Sequence, residues 1–215
     1  MAKDLWLIRH GESAANVGIL SPYSSETSLT EKGHRQAQQV ADNFTSTPDL
    51  IVQSPFLRAQ QTAKPTIERF PKVNCEEWPV QEFTYLSTKK RSGMTSLERN
   101  FRVYWYWKRP DANYVDGEGA ESFVGLFARV KDMWDEWQRR DEELVVVFCH
   151  SMFIYAFDLS LRLNFSVPGR RTMKIFREIS SGIAVPNGGI LKCRMDDSGD
   201  VWVGSKKGPI LTEAN

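Results

Sequence analysis

The sequence predicts an α/β fold, a three-layer sandwich in which a mostly parallel central sheet is flanked by helices and carries a lid-like insertion. Three observations predict it. Two uninterrupted apolar runs, Leu5-Trp6-Leu7-Ile8 and Leu144-Val145-Val146-Val147-Phe148-Cys149, read as strands buried on both faces. Helix-period apolar stripes alternate with strand-like runs along the chain, as crossovers between parallel strands require. The composition, 41% hydrophobic and 26% charged over 215 residues, supports a sizeable core in one domain spanning 1–215.

The first run ends at Arg9-His10-Gly11, where the chain opens into a loop. Thr30 then caps a helix in which Ala37, Val40, Ala41 and Phe44 recur at i, i+3, i+4 and i+7, giving one apolar stripe that covers a sheet. Residues 49–53 make a second short strand. Ser54-Pro55 is expected to give the next helix its N-cap and a first-position proline, which puts Arg58 near the helix start. A third strand falls within 72–82. Over 83–120, the lid-like insertion, the pattern is irregular and carries Lys89-Lys90-Arg91, Tyr104-Trp105-Tyr106-Trp107 and Asp116-Gly117-Glu118-Gly119.

Order returns with a helix over 122–140, whose apolar face is Phe123, Leu126, Phe127, Val130, Trp134 and Trp137. The run over 144–149 is the strongest strand signal in the chain, and it ends at His150. A helix over 151–163 follows. Two strand-like runs, 190–194 and 201–203, close the pattern around the turn Asp196-Asp197-Ser198-Gly199.

Charge and cysteine usage narrow the classes of function. With 28 Lys and Arg against 27 Asp and Glu, the net charge of +1 excludes a generalised nucleic-acid binder, and any anion site must be local. Cys75, Cys149 and Cys193 are dispersed and odd in number, so reduced, buried thiols are expected rather than a disulfide framework or a zinc knuckle. The first apolar run is too short for a signal-peptide core, and none approaches the ~18 residues of a membrane span. A soluble cytoplasmic protein with no membrane or nucleic-acid partner is expected.

In an open parallel sheet, ligands bind at the carboxyl ends of the strands, the edge at which both His10 and His150 stand. A neutral imidazole is a nucleophile toward phosphorus, an adjacent guanidinium holds two phosphate oxygens, and glycine admits the backbone close to a ligand. An isolated Arg-His pair is more ordinarily a core histidine beside a surface arginine. Arg58, in the first turns of its helix, adds a cation where free amides and the helix dipole already favour an anion, although alone it reads equally as a solvated charge. His150 follows its strand as His10 does, so the two imidazoles can face one phosphate-sized space, or His150 can simply cap a helix.

Taken together, Arg9-His10-Gly11-Glu12-Ser13 with Asn16, Leu29-Thr30-Glu31-Lys32-Gly33 with Gln36-Ala37, Ser54-Pro55-Phe56-Leu57-Arg58-Ala59-Gln60-Gln61-Thr62-Ala63, and Phe148-Cys149-His150 resemble the histidine phosphatase superfamily, also called phosphoglycerate mutase-like. Four ordered motifs with family-like spacing cover nearly the whole chain; 83–120 matches loosely. The resemblance implies that His10 is the nucleophile that becomes phosphorylated, that Arg9, Arg58 and His150 bind the phosphoryl group, and that Asn16 adds a hydrogen bond. It implies no metal and no cofactor, because arginines supply the charge that the transition state calls for. The family's proton donor is a glutamate after the third strand, the place of Glu82 in Val80-Gln81-Glu82-Phe83, with Glu98 as the alternative deeper in the insertion.

The family often has glycine after the second histidine; Ser151 here keeps its backbone amide available to substrate but crowds the pocket. Ser122 after Gly119-Ala120-Glu121 approximates the family's Gly-Glu-Ser element and is read as structural, while Asn187 before Gly188-Gly189 is placed either near the pocket or in an ordinary turn. The chain is shorter than cofactor-dependent mutases typically are, and Glu98-Arg99-Asn100-Phe101 only distantly echoes their substrate-binding element. A phosphomonoester hydrolase acting on a small phosphorylated metabolite is therefore expected, with a phosphoglycerate-type phosphomutase as the alternative. A non-catalytic interaction protein using the lid aromatics is the third reading, and the retained His10, Glu82 and His150 argue against it. Lys89, Lys90, Arg91, Arg99 and Arg102 with Tyr104-Trp105-Tyr106-Trp107 suit recognition of anionic or ring-shaped parts of a substrate, or a solvated loop over a small aromatic core.

Overall fold

The computed structural model describes residues 2–19, 24–91, 94–182 and 185–204. Its sheet is built from β1 (Lys3–Arg9), β2 (Leu50–Gln53), β3 (Asn74–Glu77), β4 (Leu144–Cys149), β5 (Ile190–Met195) and β6 (Val201–Val203) in the order β3-β2-β4-β1-β5-β6. The first four in that order run parallel; β5 pairs antiparallel with β1, and β6 with β5. The expected mostly parallel sheet is thus present, with two antiparallel strands at one edge.

The apolar runs fill both faces by simple alternation. Leu5, Leu7, Val145, Val147 and Cys149 face one cluster, whereas Ile8, Val146 and Phe148 face the other. The smaller cluster is closed by α1 (Glu31–Asp42) and α2 (Leu57–Arg69), through Val40 and Ala63. The larger one is closed by α4 (Phe123–Arg139), α5 (Ser151–Arg162) and α6 (Arg170–Gly182), which contribute Phe123, Trp137, Phe153 and Phe176. These are the three layers. Among the described residues no helix is long and apolar enough to cross a membrane.

Helix α1 starts as its sequence implies, with the Thr30 hydroxyl accepting from the Gly33 amide at 3.1 Å. Ser122 caps α4 in the same way, accepting from Gly125 at 3.0 Å, so its structural reading holds. Helix α2 departs from expectation. It begins at Leu57, with Phe56 at the cap position; the Ser54 hydroxyl meets His150 and accepts from the Phe56 amide at 3.2 Å, one turn before the helix proper. Pro55 therefore lies before the helix, and Arg58 is its second residue.

The segment 83–120 is more regular than its pattern suggests. It contains α3 (Ser96–Lys108), opened by a capping box in which Thr95 and Glu98 satisfy each other's amides. Tyr106 and Trp107 of α3 extend the larger core: Trp107 stacks on Phe176 with ring centres 6.0 Å apart. Helix α6 also goes unpredicted, since only Met173 and Phe176 of its stripe are fully buried. Of the three thiols, Cys149 and Cys193 are buried as expected, whereas Cys75 is half-buried.

Candidate active site

The register of the two central strands builds the site. Arg9 pairs opposite Cys149, and the His10 amide donates to the Cys149 carbonyl at 3.0 Å, so His10 and His150 leave the sheet side by side. The chain leaving β1 crosses to β2 on one side, and the chain leaving β4 crosses to β5 on the other. The crevice between β1 and β4 is therefore the switch point where such sheets bind ligands.

The imidazoles of His10 and His150 lie with ring centres 5.1 Å apart. His10 Nδ1 is 2.7 Å from the Gly11 carbonyl oxygen, which can only accept, so Nδ1 carries the proton and Nε2 presents its lone pair. That lone pair accepts from Arg58 Nε at 3.2 Å. Burial, with a further push from Arg58 and Arg9 against the Gly11 hydrogen bond, lowers the His10 pKa to about 3. His10 is thus neutral at physiological pH. His150 is pushed well below the ordinary imidazole range by burial first, then by Arg58 and His10. Its Nε2 meets Ser54 Oγ at 2.8 Å, and its Nδ1 is buried with no partner among the described residues.

Two guanidinium groups surround the imidazoles. Arg58 is 5% exposed; it donates to the Ser24 carbonyl at 2.6 Å, lies over the Phe56 ring, and has its pKa drawn down to about 10, chiefly by burial. Arg9 donates through Nη1 to the Val185 carbonyl, while its Nε is buried without a partner among the described residues. Asn16 accepts through Oδ1 from the Ser13 amide and from Asn187 Nδ2, at 3.0 and 3.3 Å. Its amide group is left to donate. Asn187 also donates to the His10 carbonyl at 3.0 Å, so its turn and its nearness to the pocket are both real.

Glu82 lies on the segment after β3 and reaches the start of α5. Its carboxyl accepts from the Met152 and Phe83 amides at 3.1 and 3.0 Å and from the Ser151 hydroxyl at 3.3 Å. Ser151 is therefore placed in the site through its hydroxyl on Glu82. Burial raises the Glu82 pKa despite the opposing pull of Arg58, the Phe83 amide, Arg9 and Ser151. Beside Glu82 opens a cavity of about 240 Å³ lined by Ser24, Phe83, Tyr85, Arg99 and Arg102 among others.

Some expectations do not survive. Glu98 is exposed and spent on the cap of α3, where its carboxylate accepts from the Thr95 amide at 2.7 Å. Most of the lid cations whose side chains are described are neutralised within the lid: Lys89 pairs with Glu118, and Lys90 and Arg102 with Asp116. Arg99 and Arg102 alone among them line the cavity beside Glu82. The Arg91 side chain lies outside the described residues. Gly11 has a packing reason to lack a side chain: a Cβ there would run into the Gly33 carbonyl, and one on Gly33 would run into that of Glu12. The two glycines let the catalytic-edge loop rest on the first turn of α1.

Several residues of the quoted motifs, to which the sequence assigned no role, hold the site together. Thr62 accepts from the Gly11 amide at 3.0 Å and donates to the Arg58 carbonyl at 2.6 Å, tying the β1 loop to α2. Gln36 and Gln61 accept from the Glu12 and Leu29 amides, both at 2.7 Å. Buried loop amides need such partners, and polar residues on the inner faces of α1 and α2 could have been sought for that reason.

A family model described as histidine phosphatase superfamily, branch 1, matches residues 5–180. The chain belongs to this superfamily. Among characterised relatives, the histidine phosphatase is 28% identical over 145 residues to the adenosylcobalamin/alpha-ribazole phosphatase of Salmonella typhimurium strain LT2, covering 66% of this chain and 72% of that one. It is 29% identical over 140 residues to the 2,3-bisphosphoglycerate-dependent phosphoglycerate mutase of Bartonella quintana, covering 60% and 66%. A mycobacterial glucosyl-3-phosphoglycerate phosphatase shares the fold, with a TM-score of 0.71 at 22% identity over 97% of this chain and 100% of that one.

Proposed function

We propose that this histidine phosphatase hydrolyses a small phosphorylated metabolite through a covalent phosphohistidine at His10. The observation that carries the reading is the placement of His10: Nδ1 is tied to the Gly11 carbonyl, so Nε2 faces the Arg58 guanidinium with a lone pair. When substrate enters, its phosphoryl oxygens replace Nε2 as the acceptor for Arg58, and Arg9 Nε and His150 Nδ1 gain the partners they lack. Asn16 adds its amide. Nε2 then attacks phosphorus while the ester P–O bond breaks in line, and Glu82 gives its proton to the departing oxygen. In the second half, the Glu82 carboxylate takes a proton from water as that water attacks the phosphohistidine. Inorganic phosphate leaves, and neutral His10 and protonated Glu82 are restored.

The charge that a divalent metal supplies elsewhere is provided here by Arg9 and Arg58, so turnover is metal-independent in this reading. Transfer to water is favoured over mutase transfer because Glu98, which opens the distant echo of the mutase element, is committed to capping α3. The relatives' substrates span a cobalamin precursor phosphatase and a glucosyl phosphoglycerate phosphatase, and the small cavity beside Glu82 fits a leaving group of metabolite size. Unbonded thiols and balanced charge are in keeping with a single-domain enzyme of a reducing cytoplasm. The test is phosphomonoester hydrolysis after exhaustive chelation. Full activity is expected; loss that added magnesium or zinc restores would overturn metal independence, and no hydrolysis under any condition would favour the non-catalytic reading.

A further inference from the structure

The general acid must meet the leaving oxygen to within a fraction of an ångström, yet the segment that carries Glu82 belongs to no strand. Residues 79–84 run from the end of β3 to the lid. The Glu82 carboxyl is fixed at its tip by the Met152 amide and the Ser151 hydroxyl, but tip contacts do not fix the backbone behind it. That backbone is held from α4. Arg129 Nη1 donates to both the Pro79 and Gln81 carbonyls, at 2.7 and 3.2 Å, bracketing Glu82 on its chain-start side.

Arg129 is itself immobilised. Its Nε and Nη2 form a two-pronged pair with Glu121 at 3.0 and 2.6 Å, and its guanidinium lies over the Phe153 ring of α5 at 5.5 Å. Glu121 completes the bracket on the far side: its amide donates to the Thr84 carbonyl at 2.9 Å, and its carboxylate accepts from the Thr84 amide at 3.4 Å. The side chains are 15% and 23% exposed, so the pair is largely shielded from water, where bidentate arginine–carboxylate geometry is worth most. One ion pair therefore grips the acid-bearing segment before and after Glu82, and rests on the helix whose amino end holds the carboxyl itself.

We propose that Arg129, locked by Glu121, is the positioning residue for proton donation by Glu82. It touches no substrate. Among the described residues its hydrogen bonds reach only Glu121 and the segment that carries Glu82, so its contribution is expected to depend on the leaving group. This inference rests on the reading of Glu82 as general acid, and the experiment separates the two.

The measurement is kcat/KM, which reports formation of the phosphohistidine and not its later hydrolysis, on an alkyl and an aryl phosphate for Arg129→Met, Arg129→Lys, Glu121→Gln, Glu82→Gln and the double variant Glu82→Gln/Arg129→Met. A phenolate departs without full protonation, so in that step only the alkyl ester needs the acid. Misplacing a catalytic group by about 1 Å costs roughly 100-fold, so Arg129→Met is expected to slow the alkyl ester about 10- to 100-fold and the aryl ester by less than about threefold. Arg129→Lys, which keeps one donor for the carbonyls, recovers part of the alkyl loss, and Glu121→Gln shows the same selectivity in milder form if Arg129→Met folds poorly. In the Glu82→Gln background, Arg129→Met costs nothing further on the alkyl ester. Equal losses on both esters, or a full additional loss in that background, would overturn the positioning role while leaving Glu82 as acid. An absence of alkyl selectivity in Glu82→Gln itself would remove the acid assignment, and the positioning role with it.

Discussion

His10 and Glu82 are both buried ionisable groups whose surroundings favour the uncharged form, in opposite senses. Burial pushes the imidazole down and the carboxyl up, which suits the proposed nucleophile, needing a lone pair, and the proposed acid, needing a proton. Glu82→Gln is therefore expected to slow alkyl phosphate hydrolysis by about 10²–10⁴-fold, the range for a positioned general acid, and aryl phosphate hydrolysis far less. The ratio of kcat/KM for the two esters, which excludes the later hydrolysis of the phosphohistidine, checks this, and equal losses in kcat/KM would move the acid elsewhere. The pH dependence follows with its sign. An ordinary imidazole with a pKa of about 6.5 would lose nucleophile steadily below that pH, whereas His10, at about 3, stays neutral across the same range. Corrected for the substrate's own second ionisation near pH ~6, kcat/KM for an alkyl ester should show no fall between about pH 6.5 and 4 from His10. It should fall as pH rises through the elevated pKa of Glu82, and Glu82→Gln should abolish that alkaline limb. An acid limb centred near about pH 6.5 would contradict the neutral buried imidazole.

At the scale of elements, the site depends on how closely the β1 loop lies on α1. Gly11, Glu12 and Gly33 stack backbone on backbone, leaving no room for a Cβ at either glycine. Gly33→Ala should cost about 1–3 kcal/mol, as overpacking does, and should also displace the His10 loop. Thermal denaturation and kcat together check it, and an unchanged midpoint with full activity would contradict the close approach. The glycine of the Arg-His-Gly motif was legible in the sequence, but its reason was not, because the group it accommodates lies on an element 22 residues further along. Strand β4 and the middle of β1 were legible because the centre of the sheet is covered on both faces, so that 144–149 and 5–8 are unbroken apolar runs. Helix α3 was not. Leu97, Phe101 and Tyr104 are exposed while Tyr106 is buried, so its apolar residues make no single stripe, although the capping box Thr95-Ser96-Leu97-Glu98 announces its start. Ser54-Pro55 was only partly informative: the Ser54 hydroxyl does accept from the Phe56 amide while also meeting the buried His150, but the helix itself begins at Leu57.

Across the whole molecule, two parallel strands in register deliver the two histidines, and the opposed crossovers from β1 and β4 open the crevice between them. The helix starts at α2 and α5 bring Arg58 and the Ser151 and Met152 donors to the same edge. Sequence motifs identified the groups that meet at this edge, since their chemistry is confined to a few residue types. They gave no role to the residues that hold those groups: Thr62 and Gln36, within the motifs, bond to backbone atoms, and Arg129, outside them, pairs with Glu121 and bonds to the Pro79 and Gln81 carbonyls. With a net charge of +1, the chain has no general field to draw in an anion, so in the proposed mechanism that attraction comes from the local arginines of this edge. Everything in the mechanism passes through one covalent bond between His10 Nε2 and phosphorus. Rapid mixing with a labelled phosphomonoester, quenching under alkaline denaturing conditions that preserve phosphohistidine, and peptide mapping test it directly. The expected result is a base-stable, acid-labile phosphoryl label on the peptide containing His10, absent from a folded His10→Ala variant that has lost turnover. Label that persists in His10→Ala, or full turnover by that variant, would contradict it.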